Sequence, residues 1–341
     1  MSTNDVRWID VPDAPAIPSL RFRTYTGHAD IPAMTRVMNA AVAANDSPEF
    51  RPEQLVRHWL DHPLSTDPHE DVLLTFVGEE LVAVSVTQFE DANEGMRHYQ
   101  MFGYVEPRWR RRGLGTALLP RQEARLREIA RRHEQPAPPV LATWVDGPDA
   151  GARALVEANG YELVRTYHHM VRPDMDDILI PPLPEGIAIR SLRRDELRRM
   201  WGAMSEAFRD HFGGFDTSEA AFERWAASPR MDPSLVFAAF DGDEIAAGVQ
   251  GVIMPDENEA RGYLRGWTDP IFTRRRWRRR GLASACIGHT LVALRDRGMT
   301  SAQLGVDTQN PNDALSLYRK HRFESVATET EWHKPLELTD A

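Results

Sequence analysis

The chain has 341 residues, 42% of them hydrophobic and 27% charged, with a formal net charge of −10. That length accommodates two domains with ordinary cores, and the acidity argues against bulk binding to nucleic acid or to an acidic membrane surface. The single cysteine, Cys286, excludes an internal disulfide and suits a reducing compartment. The opening stretch MSTNDVRWIDVPDAPAIPSL has acids and prolines where a signal peptide needs an apolar run, and no apolar run approaches membrane-spanning length, so a cytoplasmic location is expected.

In chain order, the pattern predicts a strand at 20–25, a helix with apolar spacing at 31–44 and a second helix at 51–60 that carries Trp59. Strands at 72–77 and 81–89 flank a tight acidic turn, VGEE, as in a hairpin. A further strand runs into the phrase WRRRGLGTALL, which opens at Trp109 and leads into a helix at 113–132. A strand at 140–145, a helix at 151–159 and a final strand pair complete the set. The same order then recurs: a strand at 187–192, helices at 196–208 and 218–227, and strands at 235–241 and 245–253 about the turn DGDE. The phrase WRRRGLASACI opens at Trp277, and a helix at 281–297, a strand at 301–306, a helix at 312–321 and closing strands follow. Trp59 and Pro63 answer Trp225 and Pro229 at nearly the same offset, as a domain-sized duplication requires. Between the copies, RPDMDDILIPPLPEG reads as a linker at 172–186. The expected domains are therefore 18–171 and 187–341, each a mixed α/β fold.

The basic phrase stands between a strand and a helix in both copies. A helix start offers unpaired N–H groups and the positive end of the helix dipole. Small residues let a ligand approach the backbone, and the arginines add charge. The result is a cradle for phosphate or pyrophosphate. No Gly-Lys-Ser/Thr follows, so it is not a Walker loop, and the glycine spacing does not fit a dinucleotide fingerprint.

The phrase resembles the acyl-CoA loop of the GNAT superfamily of N-acetyltransferases. Val105, Pro107, Arg110, Gly113 and Gly115 match that loop in the first copy. Arg278, Gly281 and Ala283 match it in the second, with Thr273 and Arg275 in place of Val and Pro. A later family signature is matched by Asn310, Pro311, Ala314, Leu317, Tyr318 and Phe323, with Arg322 where glycine is usual. The first copy keeps Ala152, Leu155, Gly160 and Tyr161 but has Val156 where the tyrosine belongs. The tandem layout is similar to that of the mycothiol synthase type.

The resemblance implies two tandem GNAT-like domains, each a mixed, mostly antiparallel sheet flanked by helices. It implies acetyl-CoA as co-substrate, no metal, and direct attack on the thioester by a primary amine of a small molecule. Tyr318 is then the general acid for the departing thiolate: a phenol with pKa of about 10 can protonate a thiolate of similar basicity. Val156 has no proton to give, so the C-terminal domain is expected to be catalytic and the N-terminal one not. Cofactor contacts are expected from Thr273, Arg278, Arg279, Arg280, Gly281, Ala283, Ser284 and Asn310. In the first copy the corresponding residues are Val105, Arg110, Arg111, Arg112, Gly113, Gly115 and Thr116. Asp269 is the candidate base or ammonium anchor, or else a strand-end acid paired with an arginine. Asp210, His211 and Trp267 are expected to line the acceptor site. No nucleic-acid or membrane partner is expected, and the chain is expected to be a monomer or homodimer. The alternative is a non-catalytic acyl-CoA-binding protein. His58 and His62 have the i, i+4 spacing of a zinc pair but lack the metalloprotease glutamate, and they read as a surface pair. Cys286 reads as a buried helix residue.

Overall fold

The computed structural model describes residues 8–93, 95–134 and 138–338. In chain order the first repeat supplies β1 (Trp8–Ile9), β2 (Leu20–Thr24), α1 (Ile31–Ala43), α2 (Glu53–Asp61), α3 (Pro68–Asp71), β3 (Val72–Val77) and β4 (Glu80–Asp91). It continues with β5 (Arg97–Val105), α4 (Leu114–Ala130), β6 (Val140–Asp146), α5 (Ala150–Ala158) and β7 (Glu162–Arg172). The second repeat supplies β8 (Ile187–Ser191), α6 (Leu197–Ala207), α7 (Glu219–Ala226), β9 (Val236–Asp241), β10 (Glu244–Ile253) and α8 (Pro255–Arg261). It ends with β11 (Arg265–Thr273), α9 (Leu282–Asp296), β12 (Ser301–Asp307), α10 (Ala314–Lys320) and β13 (Glu324–Pro335). Among the described residues, no helix is long and apolar enough to cross a membrane.

Two compact units result, and they differ from the repeat halves expected from sequence. Unit 1 holds residues 1–165 and 329–341, and unit 2 holds residues 166–328. The reason is an exchange of closing strands. Each repeat ends in one long strand rather than a pair, and the far half of that strand joins the other unit's sheet. Residues 329–335 of β13 run antiparallel to β6 in unit 1, and residues 167–172 of β7 run antiparallel to β12 in unit 2. Unit 1 therefore has the strand order β1-β2-β3-β4-β5-β6-β13, and unit 2 has β8-β9-β10-β11-β12-β7. Among the described residues, β5–β6 and β11–β12 pair in parallel, and the other strand pairs named within each unit are antiparallel.

The incoming strands are locked by their side chains. Trp332 of β13 and Leu336 just beyond it enter the unit 1 core beside Tyr99, Leu126 and Leu141. Lys334 donates to Glu123 on α4 at 2.9 Å, and Glu123 also accepts from Arg127 (2.8 Å) and the Tyr161 hydroxyl (2.9 Å). In unit 2, the fully buried Arg172 donates to the carbonyls of His321 (2.6 Å) and Asp174 (2.8 Å) and to that of Asp176.

The segment 172–186 is no free linker. Met175 is buried in the unit 2 core, and Ile178 and Leu183 pack against it. The backbone at Leu179 lies against Gly288 in the middle of α9. This segment is a strap, held because apolar residues alternate with its prolines and acids.

In each unit the parallel pair soon parts. β5 pairs with β6 only over His98–Met101, although it continues to Val105. β11 pairs with β12 only over Arg265–Trp267, although it continues to Thr273. The splayed ends open a wedge, and the basic phrase turns into α4 or α9 at its mouth.

Candidate active site

The wedge of unit 2 is a cavity of about 500 Å³. At its mouth the loop alternates in hand: Arg278 is extended (φ −62°), Arg279 is left-handed (φ +62°) and Gly281 is left-handed (φ +80°). Space is open where a Gly281 side chain would be, so a ligand can reach the backbone there. Beyond Gly281, α9 begins with the unpaired N–H groups of its first turn. Thr273, Arg278, Arg279, Gly281, Ala283, Ser284 and Asn310 all line the cavity. Arg280 is exposed and does not.

Arg278 is committed to the protein itself. Its guanidinium donates to the carbonyls of Thr273 (3.2 Å) and Ala207 (3.5 Å) and pairs with Asp210 at 2.8 Å. It ties the end of α6 to the loop as a brace. Arg110 does the same in unit 1, donating to Val105 O (3.3 Å), Ala41 O (2.8 Å) and Asn45 Oδ1 (2.7 Å). The second arginine at each mouth, Arg279 or Arg111, is instead exposed and lines its cavity.

Tyr318 projects from α10 into the cavity wall and is buried. Burial, and then the charge of Asp269, raises the phenol's pKa above its ordinary value. Asp269 is exposed at the surface, but protein crowds it, and the lost hydration raises its pKa against the pull of Arg230 and His211. Tyr318, Asp269 and His211 thus share one electrostatic neighbourhood, with His211 on the cavity wall and Asp269 outside the lining. Asp210 also lines the cavity, but hydrogen bonds from Arg275 and then Arg278 hold its carboxyl well below the usual range. Asp210 is the brace's counter-ion. Trp267 lies off the cavity, its indole N–H donating to Glu257 at 3.0 Å.

Ser284 has a partner that sequence reasoning missed. Its Oγ is 2.7 Å from Nε2 of His321, which is fully buried. Burial, and then Arg172, pulls the His321 pKa down to about 4, so the ring is neutral. His321 Nδ1 has no partner among the described residues. The proton then belongs on Nε2, because an orphan N–H costs more than an orphan acceptor. His321 therefore donates to Ser284 and leaves the serine's own hydrogen for the cavity. The signal was available in sequence: His321 occupies the place of Asn159 in the first copy.

Unit 1 has a cavity of about 560 Å³ at the equivalent place, lined by Val105, Arg110, Arg111, Gly113, Gly115, Thr116 and Val156. Arg111 (φ +59°) and Gly113 (φ +86°) reproduce the loop's hand. Arg112 instead stacks on the Trp109 ring at 4.7 Å and does not line the cavity. Besides Val156 in the place of Tyr318, two further differences mark this cavity. Pro15 lies over Gly113, 3.2 Å from where a Cβ would stand. The inner end is acidic, with Glu49 and Glu329 carboxylate oxygens within 4.8 Å of each other. Burial, and then the charges of Glu49 and Asp146, pushes the Glu329 pKa up to about 8. Nothing in the local sequence could place Glu329 here, because it arrives on the exchanged strand.

The Acetyltransferase (GNAT) family matches residues 199–323, within unit 2. A mycothiol acetyltransferase of Clavibacter michiganensis subsp. michiganensis is 30% identical over 233 residues, covering 67% of this chain and 70% of that protein. The chain belongs to the GNAT acetyltransferase family. It is an N-acetyltransferase, and the family uses acetyl-CoA. A mycothiol acetyltransferase of Geodermatophilus obscurus is similar over nearly the whole length, at 28% identity with 94% of this chain and 99% of that protein covered. A solved GCN5-related N-acetyltransferase from Sphaerobacter thermophilus superposes with a TM-score of 0.71 at 26% identity, covering 94% of this chain and 98% of that one. Against the GNAT signature, the departure at Arg322 has a local reason. Arg322 adopts the left-handed conformation glycine would take (φ +62°), and its side chain pairs with Asp174 of the strap at 2.8 Å.

Proposed function

We propose that this chain transfers an acetyl group from acetyl-CoA to a primary amine of a small molecule, and that turnover belongs to unit 2. The observation carrying this reading is the contrast at one helix position: Tyr318 walls the unit 2 cavity, and Val156 walls the other. The cradle suits a pyrophosphate, since it combines left-handed residues, an open glycine, a helix N-terminus and a serine hydroxyl turned inward. Tyr318 keeps its proton through neutral pH and can deliver it to the departing thiolate. Asp269 is the group nearest in charge and chemistry to the acceptor's ammonium, as base or anchor, with His211 beside it. The relatives' name, with the tandem layout, makes a cysteinyl pseudo-disaccharide the first acceptor to assay, ahead of a broad amine panel. Unit 1 keeps a cradle but lacks the acid, which favours acyl-CoA binding without turnover there.

The test is CoA-thiol release from acetyl-CoA in the presence of each amine. Release that depends on the amine and falls at least 100-fold in kcat in Tyr318→Phe, with KM for acetyl-CoA little changed, is the expected result. Unchanged turnover in that variant refutes the acid role. Tight acetyl-CoA binding with no release across the panel refutes the enzyme reading.

A further inference from the structure

Unit 1 carries a cluster of donor groups that belongs to the lining of neither cavity. His98 stands on β5, and Glu331 and His333 stand on β13. Two residues apart on a strand, Glu331 and His333 point to the same face. β6 runs between β5 and β13. There Val140 pairs with His98, and Ala142 pairs with His333. Two strand spacings, roughly 10 Å, separate the outer backbones. Histidine and glutamate side chains can meet over that gap, because the intervening Ala142 is small. They do meet: one donor atom from each of the three lies within 4.8 Å of the others. Glu331 Oε1 is 2.7 Å from His333 Nε2 and 4.0 Å from His98 Nδ1. The imidazole rings stand edge to face, with centroids 4.7 Å apart. His98 is 1% exposed and Glu331 is 2% exposed.

We propose that His98, Glu331 and His333 form a divalent-metal site, selective for zinc, that fastens the exchanged strand β13 into unit 1. Two imidazoles and a carboxylate are a donor set that zinc takes, with bonds of about 2.0–2.2 Å. Tetrahedral donors then stand roughly 3.3 Å apart. Reaching that geometry takes shifts of under about 1 Å: His98 draws in and His333 backs away from Glu331. Magnesium and calcium want oxygen ligands and are disfavoured here. A catalytic ion needs an open position facing substrate. These three residues line neither cavity, so the role is structural. The fourth position falls to water or to Glu90, which pairs with His98 across β4–β5 and is held by Gln100 at 2.8 Å. With Glu90, two carboxylates balance the ion's two charges. Because the donors come from both repeats, bound metal stabilises the exchanged arrangement by mass action.

The experiment uses the full, untagged chain, stripped with chelator. It is titrated with Zn²⁺ by calorimetry and with Co²⁺ by visible absorption, and its melting is followed with and without zinc. The expected result is one ion per chain with a Kd of about 1 μM or tighter. Co²⁺ should show the intense d–d bands of a four-coordinate ion, and zinc should raise the melting temperature by several degrees. His98→Ala and His333→Ala should each weaken zinc binding at least 100-fold, whereas His58→Ala, on the α2 pair, should not. Absence of stoichiometric binding by the stripped wild-type chain overturns the proposal, and so does binding that survives both substitutions. The wild-type arm decides the matter even if a variant fails to fold.

Discussion

Gly288→Ala inverts the usual expectation for a helix glycine. In the middle of α9, alanine should stabilise by about 0.8–1.0 kcal/mol on helix propensity alone. A Cβ built on Gly288, however, lies 2.3 Å from the Leu179 carbonyl oxygen and 2.8 Å from Ile180 Cγ1. The strap's backbone must retreat by roughly 1 Å to reach ordinary contact, and overpacking of this kind costs about 1–3 kcal/mol. The net expectation is a loss of about 1 kcal/mol, or roughly 2–4 °C in Tm for a unit of this size. A functional mark should accompany it. Pro181, two residues beyond Leu179, lines the unit 2 cavity, so KM for acetyl-CoA should rise several-fold with kcat held. Calorimetric melting and initial-rate kinetics on the purified variant read both effects. A variant that is more stable than wild type, with unchanged KM, would show that the strap does not bear on α9, and the argument from Gly288 would fail.

Arg278→Ala should lower Tm as well as raise KM for acetyl-CoA, because Arg278 ties α6 to the cradle; an effect on KM alone would return it to ligand contact. Ser284→Ala and His321→Asn should each raise KM for acetyl-CoA a few-fold, with kcat preserved. The double variant should be no worse than the worse single one, and additive effects would break the proposed link. Burial alone would raise the Glu123 pKa, but hydrogen bonds from Lys334, Arg127 and Tyr161 outweigh it, and the net shift is downward. Its stabilisation is therefore complete above the ordinary carboxylate range and drains away as pH falls through the depressed folded value. Glu123→Gln should cost about 2 kcal/mol at neutral pH and flatten the acid limb of the stability profile; an unchanged limb in urea titrations would refute this.

Much of the architecture could be read from the sequence because its signals are local. Apolar period, turn glycines and the basic phrase placed α4 and α9 to within two residues at each end. The contrast between Val156 and Tyr318 needed only the alignment of the two copies. What escaped the sequence is long-range. Nothing in ESVATETEWHKP distinguishes a strand that pairs with its own repeat from one that crosses over. The strap reads as a linker in sequence because proline content hides the apolar residues Met175, Ile178 and Leu183. Arginine runs look alike in sequence, and only the fold separates the bracing Arg278 from the exposed Arg279. The short helices α3 and α8 escape a local reading because each begins at a proline, which such a reading treats as a break.

Strand exchange also imposes an order of events on synthesis. Residues 329–335, which complete the sheet of unit 1, are made after all of unit 2. While unit 2 is being translated, β6 presents an unpaired edge where β13 will later lie, and Glu123 waits in a half-built core for Lys334. An open β edge of that kind invites pairing with other chains. The first unit to emerge is thus the last to close, and cutting the gene between the repeats would leave each half with the wrong final strand.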